Sequence, residues 1–354
     1  VKILIIAGGT GGHIFPALAV ANQLKAQGHD ILWLGAPYGL EKKLITGKFP
    51  IELISVTGLR KNGILKLITA PFQLMKTFWQ SSRIIGRYQP DAVLAMGGYV
   101  CGPSGLAAWA RRVPLIVHEQ NSRAGFTNRI LRKFATQTLA AFPNAFSNSL
   151  ATVVGNPVRE DILAIEPPEA RLKNREKPLR LLILGGSQGA QAINEVICAA
   201  AKLMAPNSVA IIHQAGEKHF LAVNTLYSGV SQELTVKPFI EDMRAAYAWA
   251  DFVIARAGAL TVAELTAAGI GSLLIPYPNA VDDHQWHNAQ FLRENEAAFV
   301  YRQAEITPPH LAAKLNDLIE QPEMRLHMAI SAKKLAKPNA VSDIIDVIIK
   351  SCGK

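Results

Sequence analysis

Three short stretches hold side chains and bare backbone of the kind that can handle a charged, transferable group. The first is AGGTGGHIFP, residues 7–16, where four glycines flank Thr10 and His13 follows directly. Bare backbone N–H groups at the positive end of a helix attract an anion. Histidine, which titrates near ~6.5, makes His13 a candidate general base. The second is RAGALTVAE, residues 256–264. Here Gly258 opens a helical pattern whose amides at Ala259, Leu260 and Thr261 would point at a phosphate, with the Thr261 hydroxyl as a further donor. Glu264, one turn later, can accept both hydroxyls of a ribose. The third is residues 58–90, with six cations (Arg60, Lys61, Lys66, Lys76, Arg83, Arg87) and no acid. Ile64, Leu65, Phe72 and Trp79 lie among those cations, a mixture fit for a membrane interface. Each stretch has a plainer reading: a tight turn, a carboxylate complementing a helix dipole, and apolar residues facing a core. The first loop is neither the dinucleotide fingerprint nor a P-loop, because the required third glycine and the Gly-Lys-Ser/Thr ending are missing.

The elements that must position these residues alternate. KILIIA (2–7) is short, apolar and β-branched and reads as a buried strand, and residues 16–27 have helical spacing that stops at Gly28. A second glycine loop follows another apolar run in LRLLILGGSQGAQAIN, residues 179–194. Further strand patterns cover 30–34, 92–96, 114–118 and 136–140, then 209–213, 234–237, 252–255 and 272–276. Strand–helix alternation predicts an α/β fold with parallel sheets covered by helices. Proline-rich, mixed-charge residues 153–178 read as the break. The expected organisation is two Rossmann-like, doubly wound domains, 1–159 and 160–337, with a cleft between them. Residues 338–354 would form a helix packing back on the first.

Composition narrows the partners. Hydrophobic residues make up 49% and charged ones 18% of 354, so the chain has ample core. No apolar run approaches the ~20 residues of a spanning helix, and the first strand is too short for a signal peptide. Three scattered cysteines, Cys101, Cys198 and Cys352, suit a reducing cytoplasm. Residues 1–159 hold 18 Lys and Arg against 5 Asp and Glu, a net +13; residues 160–354 hold 19 against 22, a net −3. The first half therefore meets something negative: nucleic acid, an anionic membrane surface or a phosphorylated substrate.

Seven motifs in order (GGTGGH, MGGYVCGP, HEQN, VGNPVR, GGSQGA, RAGALTVAE and DHQWHNA) together resemble the MurG family of bacterial N-acetylglucosaminyltransferases. The resemblance spans essentially the whole chain. It implies the GT-B fold and an inverting hexosyltransferase that needs no metal or other cofactor. N-acetylglucosamine would pass from UDP-N-acetylglucosamine to the muramoyl 4-hydroxyl of lipid I, giving lipid II for peptidoglycan, on the cytoplasmic face of the inner membrane. Carried over by position, Thr10, Gly11, Gly12 and Asn121 would lie against the donor sugar and diphosphate. Arg159 and Ser187 would meet the nucleotide, and Ile240 would border the uracil. Ala259, Leu260, Thr261, Val262, Ala263 and Glu264 would hold diphosphate and ribose, and Gln285 would reach sugar hydroxyls. The family's frequent serine is Ala257 here, and its Gln-Gln pair is His284-Gln285. With no Asp-x-Asp in the chain, helix amides, Ser187 and Arg159 must stabilise the leaving diphosphate. His13 is the candidate base and Glu119 its rival. Ile64, Leu65, Lys66, Phe72, Lys76, Trp79 and Arg83 would dock on anionic membrane. A glycolipid synthase or a non-hydrolysing UDP-sugar epimerase could share the donor site. A nucleic-acid-binding reading explains the charge alone, and no nucleic-acid partner is expected.

Overall fold

The central runs, apolar on both faces, form parallel strands because helices cover both sides of the sheet. The structure is a computed structural model that describes residues 1–37, 41–54, 64–147, 151–175, 177–186 and 189–353, with backbone alone for 42, 43, 64–70 and 281. Among these, the first sheet comprises β1 (Lys2–Ile6), β2 (Asp30–Gly35), β3 (Ile51–Leu53), β4 (Ala92–Ala95), β5 (Leu115–Glu119), β6 (Gln137–Ala140) and β7 (Thr152–Val153). Its order is β3-β2-β1-β4-β5-β6-β7, parallel throughout. The second comprises β8 (Leu179–Leu184), β9 (Val209–Gln214), β10 (Glu233–Lys237), β11 (Phe252–Ala255), β12 (Ser272–Leu274) and β13 (Ala298–Val300). Its order is β10-β9-β8-β11-β12-β13, again all parallel.

Each sheet is wound outward in one direction and then in the other. The reversal lies between β1 and β4 in the first and between β8 and β11 in the second. Connections leave such a pair toward opposite sides, which opens a crevice at the strand ends. The glycine motifs all stand there: GGTGGH after β1, MGGY after β4, GGSQGA after β8 and RAGAL after β11. Topology thus selects the three glycine loops that composition singles out, together with MGGY from the family resemblance.

The chain divides into two compact units, Val1–Val158 with Lys337–Lys354, and Arg159–Ala336. Arg159, counted with the first half in the sequence, belongs to the second unit, where it precedes the short helix Glu160–Leu163. The helix Ala340–Ser351 completes the first core, with Ile344, Ile345 and Ile348 packed in one cluster with Ile3, Ile5, Trp33 and Leu94. Gly155, at φ +90°, lets the chain pass Lys337, whose Cβ would be 2.3 Å from any Cβ at 155. Ile344→Ala should lower the stability of the first unit by about 2–5 kcal/mol through the cavity left behind. Urea unfolding checks this; an unmoved midpoint would detach that helix from the core.

Candidate active site

In the first unit the loops after β1 and β4 touch through backbone. Gly8 donates its N–H to the Gly97 carbonyl at 3.4 Å. A Cβ on Gly98, at φ +94°, would lie 2.3 Å from the Gly8 carbonyl oxygen. One on Gly97, at φ +100°, would lie 2.6 Å from Cδ2 and 2.9 Å from Nε2 of His13. The His13 ring therefore rests on Gly97, with Nδ1 3.3 Å from the Thr10 hydroxyl. His13 stands in the first turn of the helix Gly11–Ala26, whose N-cap is Thr10. Among the described residues, the N–H groups of Thr10, Gly11 and Gly12 have no hydrogen-bond partner. Cys101 secures the MGGY loop from below. Its sulfur accepts the Gly97 N–H at 3.2 Å and lies 3.0 and 3.2 Å from the Gly97 and Ile6 carbonyls. Burial pushes that thiol up to about 12, so it is an anchor and no nucleophile.

The HEQN motif ends β5 as a buried polar junction. His118 donates through Nε2 to the Gly155 carbonyl at 2.9 Å, so Nδ1 is the acceptor for Gln120 Nε2 at 3.2 Å. Burial holds this imidazole down at about 4, and it stays neutral. Gln120 also donates to the Met96 carbonyl at 2.7 Å and accepts Asn156 Nδ2 on its own carbonyl at 2.9 Å. One strand end thereby fixes the MGGY and VGNP loops. Glu119, read as a rival base, is corrected by its surroundings. It is 2% exposed, and Oε1 accepts the Asn121 N–H and Nδ2 at 2.9 and 3.1 Å. Oε2 accepts the Gly125 N–H and Asn128 Nδ2 at 3.1 and 2.8 Å. A carboxylate holding four donors has no room for a substrate proton; Glu119 orients Asn121.

In the second unit, Gly258 caps the helix Ala259–Ala268. The N–H groups of Leu260 and Thr261 have no partner among the described residues. Val262 departs from the carried-over donor set: it is 1% exposed and its N–H goes to the Gly258 carbonyl at 2.9 Å. It offers a ligand neither side chain nor amide, and half-buried Ala263 spaces it from Glu264. Glu264 Oε2 accepts the hydroxyl of fully buried Tyr247 at 3.0 Å. Burial raises this carboxyl to about 7, against the pull of the Tyr247 hydrogen bond and the Arg159 charge. Arg159 is exposed and lies 3.8 Å from Asp161. Ile240, 5% exposed, donates its N–H to Gln214 Oε1 at 2.9 Å. Gln285 accepts the Tyr277 N–H at 2.9 Å. Asp283 is held by both guanidinium nitrogens of Arg302 at 3.1 and 2.8 Å. Among the described residues, no three His, Cys, Asp or Glu side chains gather as metal ligands. Ser187 lies outside the described residues.

Glu41, Asn128, Gln214 and Tyr247 were not singled out in the sequence. Each serves the site through a partner distant in the chain, and no local pattern marks such a pairing.

Within the cationic stretch, Arg60 and Lys61 lie outside the described residues, and Ile64–Tyr88 is a helix. Its inner face buries Thr77, Ser81, Ser82 and Ile85 against the helix Cys101–Ala110, with a Ser81–Ser104 hydroxyl contact of 2.7 Å. The opposite face exposes Phe72 (77%), Met75, Trp79 (64%), Lys76 and Arg83. The side chains of Ile64, Leu65 and Lys66 lie outside the described residues. No helix among the described residues is long and apolar enough to cross a membrane.

Known proteins resemble the chain over its whole length. Residues 3–140 match the glycosyltransferase family 28 N-terminal domain and residues 180–346 the family's C-terminal domain. A Coxiella burnetii protein is 46% identical over 346 residues, 97% of either chain. One from Marinobacter nauticus is 45% identical over 355 residues, 99% of this chain and 98% of its own. Both are named UDP-N-acetylglucosamine–N-acetylmuramyl-(pentapeptide) pyrophosphoryl-undecaprenol N-acetylglucosamine transferase. The crystal structure of Acinetobacter baumannii MurG superposes with a TM-score of 0.88 at 41% identity, covering 99% of both chains.

The raised pKa of Glu264 has a measurable sign. Between the ordinary 4.5 and about 7 the folded chain holds a proton that the unfolded chain releases, so this group's contribution falls as pH rises through that window. Glu264→Gln, which keeps an acceptor for Tyr247 and carries no charge, should gain melting temperature relative to the parent from pH 5 to pH 8. Parallel melting curves would contradict the burial of the charge.

Proposed function

The chain belongs to glycosyltransferase family 28, and on that premise we propose that it moves N-acetylglucosamine from UDP-N-acetylglucosamine to the muramoyl 4-hydroxyl of lipid I, forming lipid II. The observation that carries this reading is 46% identity across 97% of both chains with a transferase of that name. The acceptor hydroxyl attacks the anomeric carbon from the face opposite the nucleotide, inverting it. The new C–O bond forms as the bond to UDP breaks, and the hydroxyl proton passes to His13. Unspent amides at Thr10, Gly11 and Gly12 face the donor's sugar and diphosphate. Those at Leu260 and Thr261, with Ser187 and Arg159, take up the charge of the departing UDP. Glu264 receives the ribose hydroxyls, Ile240 borders the base, and Asn121 and Gln285 reach the sugar. The reading uses no cofactor or metal. The exposed face Phe72, Met75, Lys76, Trp79 and Arg83 supports peripheral docking on the anionic cytoplasmic surface of the inner membrane. Mass spectrometry after incubation with UDP-N-acetylglucosamine and a short-chain lipid I analogue tests the reaction; an unmodified acceptor would refute it.

With His13 as the base, His13→Asn should lower turnover ~100-fold or more, the usual worth of a general base. UDP affinity in calorimetry should hold, since His13 meets the acceptor hydroxyl and the substitution leaves the amides that face the diphosphate in place. Near-normal turnover would remove His13 from proton transfer.

Docking should show two components in liposome co-sedimentation. Each cation near an anionic surface is worth about 1 kcal/mol and weakens with salt, whereas inserted Phe and Trp are insensitive to salt. Binding should therefore fall with added salt without vanishing. Glu at Lys66, Lys76 and Arg83 together should abolish most binding while sparing activity on a water-soluble acceptor. Undiminished binding by that variant would place membrane contact elsewhere.

A further inference from the structure

Glu41 opens the short helix Glu41–Leu44 with no solvent exposure. Its Oε1 accepts two backbone N–H groups, Gly9 at 2.9 Å and Ala36 at 3.1 Å. Oε2 is equally buried and has no hydrogen-bond partner among the described residues. A buried carboxylate with one bare oxygen costs the fold stability.

The surrounding backbone is shaped to admit this side chain. A Cβ on Gly8 would lie 2.6 Å from Oε1, and one on Gly35 would lie 3.0 Å from Cγ. The result is a division of labour among successive amides. Gly8 gives its N–H to Gly97 and Gly9 gives its own to Glu41, so both turn inward. The next three, at Thr10, Gly11 and Gly12, have no partner among the described residues. Gly9, at φ +94°, has no neighbour within 4 Å of where a Cβ would stand, so packing on that side does not fix its N–H. Glu41 holds it.

We propose that Glu41 is a positioning residue for sugar transfer: by taking the Gly9 N–H inward, it fixes the loop so that the following three amides and His13 keep one arrangement. This rests on the reading of that loop as part of the transfer site. Glu41 touches neither sugar nor nucleotide; it acts through Gly9.

The test compares Glu41→Gln and Glu41→Ala in the full chain with UDP-N-acetylglucosamine and a water-soluble lipid I analogue. Glu41→Ala should lower kcat at least 30-fold at saturating UDP-N-acetylglucosamine. Hydrogen exchange over residues 7–13 should quicken at least tenfold. Glu41→Gln, which keeps an oxygen at the same reach, should restore kcat to within about fivefold of the parent and slow the exchange again. Fast exchange in Glu41→Ala with kcat within threefold of the parent would overturn the proposal. So would a Glu41→Gln variant that melts like the parent yet is as slow as Glu41→Ala. Should Glu41→Ala fail to fold, Glu41→Asp, whose shorter side chain withdraws the oxygen, replaces it with the same expected loss of kcat. Failure of the underlying reading shows separately, as parent-like turnover in His13→Asn with Glu41 intact.

Discussion

A tight constraint in the first unit is between two stretches of backbone. The Gly8 carbonyl oxygen occupies the space where a side chain at position 98 would begin, and His13 occupies the corresponding space at 97. Any Cβ at either position, already strained by the positive φ, would push the β1 and β4 loops apart. The open amides of Thr10, Gly11 and Gly12 and the seat of the His13 ring all depend on that contact. The second unit repeats the principle after β8, where a Cβ on Gly189 would strike the Ala215 carbonyl at 2.5 Å. Both nests are built by omission of side chains.

Around these contacts, loops are fastened by buried amides, neutral rings and the buried side chains of Glu41 and Glu119. Gln120 links three loop segments in the first unit, and Asn128 completes the cradle of Glu119. In the second, His213 bridges Asn194 and Tyr227 at 3.0 and 2.8 Å and is held down at about 3 by burial. Donors and acceptors with fixed geometry rigidify a site. The cations are then free for the surface, which matches the strong positive balance of residues 1–159.

Much of the frame could be read from the sequence because parallel strands covered on both faces are continuous apolar runs, and glycines mark their ends. The edge strands β3, β7 and β13 could not, since two or three residues carry no period. Pro16 reads as a helix start from its fixed φ, yet the helix begins at Gly11. Burial of Ile14, Ala17, Val20 and Leu24 outweighs the poor propensity of the two glycines. His13 and Glu264 stand out in the sequence by type and place, whereas Asn121 comes from the family resemblance alone. Glu41 and Tyr247 do not stand out, because their partners Gly9 and Glu264 stand 32 and 17 residues away. The short motif also hid the saturation of Glu119: two of its four donors come from Gly125 and Asn128, beyond the motif that drew attention to it.

The return of the helix Ala340–Ser351 to the first unit has a bearing on synthesis. A ribosome delivers residues up to Val158 well before it reaches Ala340. At 5–20 residues per second the interval is on the order of ten to forty seconds. Throughout it, the apolar surface destined for Ile344, Ile345 and Ile348 has no cover. The second unit, made entirely within that interval, can close first. The unit that begins the chain is therefore the last to be finished, and its nascent form presents a greasy flank to whatever waits at the exit tunnel.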